Sequence, residues 1–356
     1  MSGHNAAPEN GRWEGYGQLL LARLKEMYRE PEVIFWVFAF PILLALGLGI
    51  AFRNKPADTS RVAVVAGPEA VRVAEILSPA AGGAVRAEVL PAAEAFNQFR
   101  LGKYDLVVTP EGGGYEYRYD PARPESVLAR NIADDALQAA AGRKNIVPSS
   151  DHASSEPGAR YIDFLIPGLL GMNLMNSGMW GIGFALVDMR QRKLLKRFVA
   201  SPMRRGDFLL ALASSRLVLM LIELVLLLGF GVLVFHLRVM GSLLSILVIS
   251  TLGALCFGGV GLLTASRAQK IETVSGLINL VMMPMWIFSG VFFSYERFPA
   301  LLQPLIKALP LTALNDALRA AILEGTPLAH QEVCLLVLSL WGVGCYFLAL
   351  RWFRWT

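Results

Sequence analysis

Long apolar runs constrain this chain more than any other feature. Six stand out, at Val33–Phe52, Ile162–Val187, Leu209–Phe235, Ser242–Thr264, Thr273–Phe293 and Gln331–Trp352. A helix needs about 20 apolar residues to cross a hydrocarbon core roughly 30 Å thick. Inside hydrocarbon each segment must satisfy its own backbone polar groups, so the runs are predicted as helices. Only 17% of the residues are charged, against about 25% in an ordinary soluble domain. The expected fold class is therefore an α-helical membrane protein with about six transmembrane helices. Pro41, Pro167 and Pro284 fall inside three runs. Each removes a helix hydrogen bond and is expected to kink or interrupt its span.

The net charge of +5 is unevenly placed. The N-terminal segment holds Arg12, Arg23, Lys25 and Arg29, and the loop Asp188–Asp207 holds seven cations. Arg267 and Lys270 lie between the fourth and fifth runs, and Arg351 and Arg354 close the sequence. Six spans put all four basic segments on one side, which the positive-inside rule assigns to the cytoplasm. The expected location is the plasma (bacterial inner) membrane, multi-pass, with both termini cytoplasmic. The first 30 residues are too polar for a cleavable signal, so the first run reads as a retained span. Before it, Trp13–Arg29 reads as an amphipathic interfacial helix or as a cytoplasmic extension of the first span.

The expected division is a cytoplasmic N-terminus at 1–30, a first transmembrane helix at 31–52, an extracytoplasmic insertion at 53–160 and a five-helix region at 161–356. The insertion alternates short apolar strands with helical stretches. Arg61–Val65, Ala87–Leu90, Asp105–Val108 and Tyr115–Tyr119 read as strands; Ala70–Leu77, Ala92–Phe99 and Pro124–Ala141 read as helices. A small α/β domain of about 100 residues is just large enough to bury a core. Ser149–Gly158 reads as a polar tether back to the membrane. Cys256, Cys334 and Cys345 all sit in apolar segments, with no disulfide framework or metal spacing.

The most informative stretch runs from Phe164 to Ala211. An Ile166-Pro167-Gly168 turn opens a span, which leads to Leu194-Leu195-Lys196-Arg197 and then Ser201-Pro202-Met203-Arg204-Arg205. Ser289-Gly290-Val291-Phe292-Phe293, Phe298-Pro299, Leu309-Pro310-Leu311-Thr312-Ala313-Leu314 and Asp316-Ala317-Leu318-Arg319 follow in order. The ordered set resembles the type-2 ATP-binding-cassette (ABC) exporter permeases over nearly all of Tyr161–Trp352, plus the Arg29–Pro41 entry. That family usually has a Glu at the start of the loop; here Asp188 and Gln191 stand nearest.

The resemblance implies an exporter's transmembrane subunit with no ATPase site of its own. Its partners would be a cytoplasmic ABC ATPase and a second permease copy or paralogue in a dimer, surrounded by membrane lipid, with no nucleic acid. ATP and Mg would be bound by the ATPase, and no cofactor by this chain. The sequence agrees in having no G-x-x-x-x-G-K-[ST] phosphate loop. Cargo of the family is lipid, polysaccharide, drug or peptide; an amphipathic or lipid-like substrate, drug or polysaccharide is expected here.

Three groups of residues are candidates for that function. The loop residues Arg190, Arg192, Lys193, Leu195, Lys196, Arg197, Ser201, Pro202, Arg204 and Arg205 would couple to the ATPase. Leu194, Leu195 and Phe198 can seat the helix while Lys196 and Arg197 reach a partner, and Pro202 stops it. The same charges also satisfy simple positive-inside topology and lipid binding. Asn173, Asn176, Met179, Trp180, Asn279, Met283 and Trp286 would line the substrate route, where methionine offers a soft surface. Plain helix packing is the commoner role of any single Met, and Asn hydrogen bonds between helices are similarly ordinary. Arg216 and Glu223 are ionisable groups inside a span, two turns apart on nearly one face. They read either as a hinge or gate, or as a structural polar contact.

Two other function classes compete. An intramembrane enzyme needs a nucleophile–base pair or metal set at membrane depth, yet His4, His152, His236 and His330 lie in tails, tether or span ends. A membrane-anchored sensor would bind its partner through the external domain, which leaves the motifs in the spans and inner loop unexplained.

Overall fold

The computed structural model describes residues 16–18, 20–22, 24–25, 29, 31–53, 59–80, 85–112, 114–144, 160–194 and 205–352. At 32, 33, 52, 53, 79, 80 and 205–209 only the backbone is described. In chain order the elements begin with α1 (Pro31–Ile34), a π-helical segment π1 (Phe35–Ala39) and α2 (Phe40–Arg53). There follow β1 (Ser60–Val65), α3 (Ala70–Ala80), β2 (Val85–Leu90), α4 (Ala92–Arg100), β3 (Leu106–Glu111), β4 (Gly114–Arg118) and α5 (Pro124–Ala140). The remainder is helical: α6 (Tyr161–Gly178), π2 (Met179–Phe184), α7 (Ala185–Gln191), α8 (Arg205–Phe235), α9 (Leu243–Ala265) and α10 (Ile271–Phe288). Two short helices, α11 (Gln303–Lys307) and α12 (Pro310–Arg319), a third π segment π3 (Ala320–Glu324) and α13 (Glu332–Trp352) follow, with 3-10 turns at Tyr295–Arg297 and Leu328–His330. The chain divides into two units, Asn54–Ser154 and the remainder.

In the first unit the strand order is β2-β1-β3-β4. The first three strands are parallel, with Val62 opposite both Ala87 and Leu106, and β4 returns antiparallel to β3 with Glu116 opposite Thr109. The period-2 alternation of β1 explains the layering. Val62 and Val64 join Leu106, Val108, Val73, Leu77, Ala133 and Leu137 on one face, while Ala63 and Val65 join Ala95, Tyr104 and Val107 on the other. A strand covered on both faces reads as a continuous apolar run, as Val62–Val65 does. At Gly112 the backbone takes φ +53°, which suits glycine at the β3–β4 turn.

In the second unit, α8, α9, α10 and α13 contain stretches long and apolar enough to cross a membrane, and Phe35–Ala51 is a shorter apolar helix. Their outward faces are apolar as well: Leu233 is 78% exposed, Leu280 70% and Val333 75%. Such continuous apolar exposure suits lipid and not water, and this is a membrane protein.

The α6–π2–α7 helix is apolar almost all round, and a helix of that kind belongs inside the bundle. Leu165–Met175 is buried without a break. Glycine lets neighbouring backbones reach it. A Cβ on Gly178 would stand 2.8 Å from that of Phe257, one on Gly183 would meet the Gly261 oxygen at 2.8 Å, and one on Gly261 the Gly178 oxygen at 2.7 Å. Between α9 and α13 the same device recurs, with a Cβ on Gly259 meeting the Gly342 oxygen at 3.1 Å. Small residues at close crossings supply contact where lipid removes the hydrophobic incentive between helices.

Two expectations change. Thr273–Phe293 was expected as one span, but α10 stops at Phe288. Gly290, at φ +70°, turns the backbone there, so Val291–Phe293 are apolar without being helical. Pro167 and Pro284 do not interrupt their helices, since α6 and α10 run through them. Irregular geometry falls instead at the π segments, whose wider ladder leaves carbonyl oxygens open to outside donors. Each receives one: Asn173 Nδ2 donates to the Val37 oxygen (3.0 Å), Arg216 Nη2 to Gly181 (2.8 Å) and the Met240 amide to Ile322 (2.9 Å). Pro41 lies two residues past the end of π1, in the first turn of α2.

Placing a side chain at the α6–α9 crossing tests the glycine contacts. Gly261→Leu should destabilise the bundle by about 1–3 kcal/mol or more, because backbone on the facing helix cannot yield. Thermal unfolding in detergent reads it, and an unchanged midpoint would remove these contacts from the account.

Candidate functional site

The helix Tyr161–Gln191 carries a polar cluster at each end and one in the middle. At its start Arg160 forms two hydrogen bonds to the wholly buried Asp163, Nε to Oδ2 at 2.9 Å and Nη2 to Oδ1 at 2.8 Å. A carboxylate in the first turn also suits the positive end of the helix dipole. The Tyr161 hydroxyl donates to the Phe292 oxygen at 3.0 Å. Arg319, from α12, stacks its guanidinium 3.7 Å above the Phe164 ring, donates to the Phe164 oxygen at 3.3 Å and donates to the Gly290 oxygen. Asn315 Nδ2 donates to the Ser289 oxygen at 2.9 Å, and its Oδ1 occupies the space beside Gly171. A Cβ on Gly168 would stand 2.6 Å from the Val291 oxygen.

The Ile166–Gly168, Ser289–Phe293 and Asp316–Arg319 motifs therefore meet in one packed cluster. Burial pushes the Asp316 carboxyl above its usual range, opposed by Arg319 at 3.8 Å and by the Tyr295 hydroxyl. Burial, with Asp316 alongside, pushes Tyr295 up to about 12. This cluster holds the connection between α10 and α13 to the start of α6; Asp163 and Arg319 were not singled out for that role in the sequence. The i,i+3 pairing of Arg160 with Asp163 was the readable signal.

At the other end, Arg190 Nη1 donates to the Ala265 oxygen at 2.9 Å and also to the Ala268 oxygen. These carbonyls close α9, where a cation satisfies orphan acceptors and the negative end of the dipole. Arg192 Nε pairs with Asp188 Oδ1 at 3.0 Å, one turn apart. Lys193 takes φ +58° just after α7 ends, and Leu194 is half-buried. Leu195, Lys196, Arg197, Ser201, Pro202 and Arg204 lie outside the described residues, and Arg205 is described in backbone only, at the start of α8.

In the middle, Glu223 of α8 is 1% exposed. Ser177 and Arg216 are the polar groups beside it. Arg216 in turn reaches the Gly181 oxygen in π2, and its guanidinium fills the space where a Cβ on Gly181 would stand.

The residues expected along a route divide between core and surface. Asn173 and Met179 are buried, Asn173 being bound to π1. Trp180 is half-buried with its ring 5.7 Å from that of Phe184. π2 and α7 pack along α10. Asn279 and Met283 lie on the exposed face of α10; Asn176 and Trp286 are half-buried. Among the described residues no group of three or more His, Cys, Asp or Glu could hold a metal ion.

Comparison with known proteins adds a family. The profile described as "ABC-2 type transporter" matches residues 135–323, a stretch that includes all three clusters. The chain is similar to ABC transporter G family member 20 of Dictyostelium discoideum, 25% identical over 197 residues, which is 54% of this chain and 27% of that protein. It is similar to Nodulation protein J of Rhizobium meliloti (strain 1021), 26% identical over 198 residues, 54% of this chain and 73% of that protein. The alignment thus spans about a quarter of the first relative's length and nearly three quarters of the second's.

The Arg319 contacts can be tested directly. Arg319→Met leaves the Phe164 and Gly290 carbonyls without this donor and should cost about 2–5 kcal/mol. Arg319→Lys should not restore it, since one ammonium cannot reproduce the planar fork and ring stacking. Thermal unfolding, with hydrogen exchange at 289–293, measures both; full rescue by lysine would contradict the geometry.

Proposed function

The chain belongs to the ABC-2 type transporter family, and we propose that it is the membrane-spanning permease subunit of an ATP-driven exporter, with ATP and Mg bound and hydrolysed on a separate cytoplasmic chain. The observation that carries this reading is one continuous helical path. The buried helix Tyr161–Gln191 leads into the basic loop 188–207, and Arg190 ties the start of that loop to the end of α9. A force applied to the loop is thereby delivered to the centre of the bundle. Closure of an ATPase against Arg197 and Arg204 would move α6–π2–α7 and α8 together and shift the balance between inward-open and outward-open forms.

The basic segments support cytoplasmic termini in a bacterial inner membrane, with the α/β unit outside. A second copy of this chain, or a paralogue, would complete the membrane unit. The exposed face of α10, with Asn279 among Leu280, Met283 and Ile287, suits that contact and the route beside it. An amphipathic or lipid-like cargo, a drug or a polysaccharide fits a route bordered by Met and Trp side chains.

The test reverses two charges. Arg197→Glu with Arg204→Glu should weaken co-purification with the ATPase at least about tenfold, because unpaired interfacial charges typically cost 2–5 kcal/mol. Cargo-stimulated hydrolysis should fall with it. Undiminished association and hydrolysis would exclude this loop as the coupling element.

A further inference from the structure

We infer that Arg216 is a positioning residue: it clasps π2 from the neighbouring helix and so sets the direction in which Trp180 faces. This deepens the transport reading above and, in its second arm only, rests on it.

The clasp has three parts. Arg216 Nη2 donates to the Gly181 oxygen at 2.8 Å, inside the π segment. Glu223, seven residues further along α8, faces the same guanidinium from a fully buried position, with Ser177 of α6 beside it. Gly181 is the residue that makes the approach possible, since any Cβ would overlap the guanidinium. A buried carboxylate and a guanidinium at membrane depth are costly unless each supports the other, so the pair marks a constrained place.

The position of π2 gives the clasp its consequence. A π segment carries i→i+5 bonds where the flanking helix carries i→i+4 bonds, so gaining or losing one wide turn rotates the two flanking helices relative to each other. On one side Gly183 is locked against the Gly261 backbone of α9. On the other, Arg216 holds Gly181. Trp180, next to Gly181, is half-buried, its ring tilted by 48° against that of Phe184. Holding Gly181 fixes the backbone from which Trp180 projects. Releasing it lets π2 tighten and turns both Trp180 and the Arg190 end of the helix.

The experiment uses the full chain in membranes, with Cys256, Cys334 and Cys345 replaced by alanine and Trp180→Cys as the reporter. A water-soluble maleimide is the probe. Arg216→Met should change the labelling rate about tenfold, as a decade's shift in the population of the wide turn would. Arg216→Lys, which keeps one donor and the charge opposite Glu223, should return the rate to within about threefold on the same scale. Gly231→Ala, a packing lesion on the same helix as Arg216 that meets the Ile166 side chain and not π2, should leave the rate unchanged. An unchanged rate in Arg216→Met, or an equal change in Gly231→Ala, overturns the clasp. In the second arm the ATPase and ATP are added: an ATP-dependent rate that Arg216→Met abolishes supports both readings. A rate that depends on Arg216 and ignores ATP keeps the clasp and counts against the transport reading.

Discussion

The membrane unit is organised around a helix that has almost no surface to spare. Leu165–Met175 is buried on every side, and the helix continues through a wide turn to Gln191. A helix with so little polar face is stable only when other helices surround it. Glycine decides how closely they approach. Gly178 and Gly183 admit α9, Gly168 admits the Val291 backbone and Gly181 admits the Arg216 side chain. Backbone and guanidinium contacts of this sort leave little freedom for one helix to slide on another. Regular hydrogen bonding is relaxed at a few places in this frame.

The π segments are those places. A carbonyl in hydrocarbon without a donor costs several kcal/mol, by the general penalty for unsatisfied buried groups. Here Val37, Gly181 and Ile322 are each answered from another element. The donors are not equivalent. Ile322 takes a backbone amide, fixed by its own chain path, whereas Val37 and Gly181 take side chains that can let go. The irregular turns facing α6 and α8 are thus held by side chains, from Asn173 and Arg216.

Much of this architecture was legible in the sequence. The short apolar run Arg61–Val65 was readable as β1, and apolar length placed α8, α9 and α13. Length misled at α10, because Val291–Phe293 is as apolar as the helix before it and only the left-handed Gly290 ends the run. Pro167 and Pro284 were expected to kink or interrupt their spans, and neither interrupts its helix, while the irregular segments at Met179–Phe184 and Ala320–Glu324 contain no proline. The motif residues were recognisable as an ordered set, but their role as a contact cluster depends on Arg319 reaching Phe164 across 155 positions, which no local pattern encodes. Arg190, expected among the coupling charges, is placed on the carbonyls that close α9.

The central claim is that Tyr161–Gln191 moves relative to α10 when a partner burns ATP at the loop. Spin labels at Gln191→Cys and Glu272→Cys, both exposed and in a chain with its three native cysteines replaced, read that movement as a distance distribution. With the ATPase bound, ATP should shift population between two distances. One distribution, identical with and without nucleotide in an assembly that hydrolyses ATP, would contradict the account.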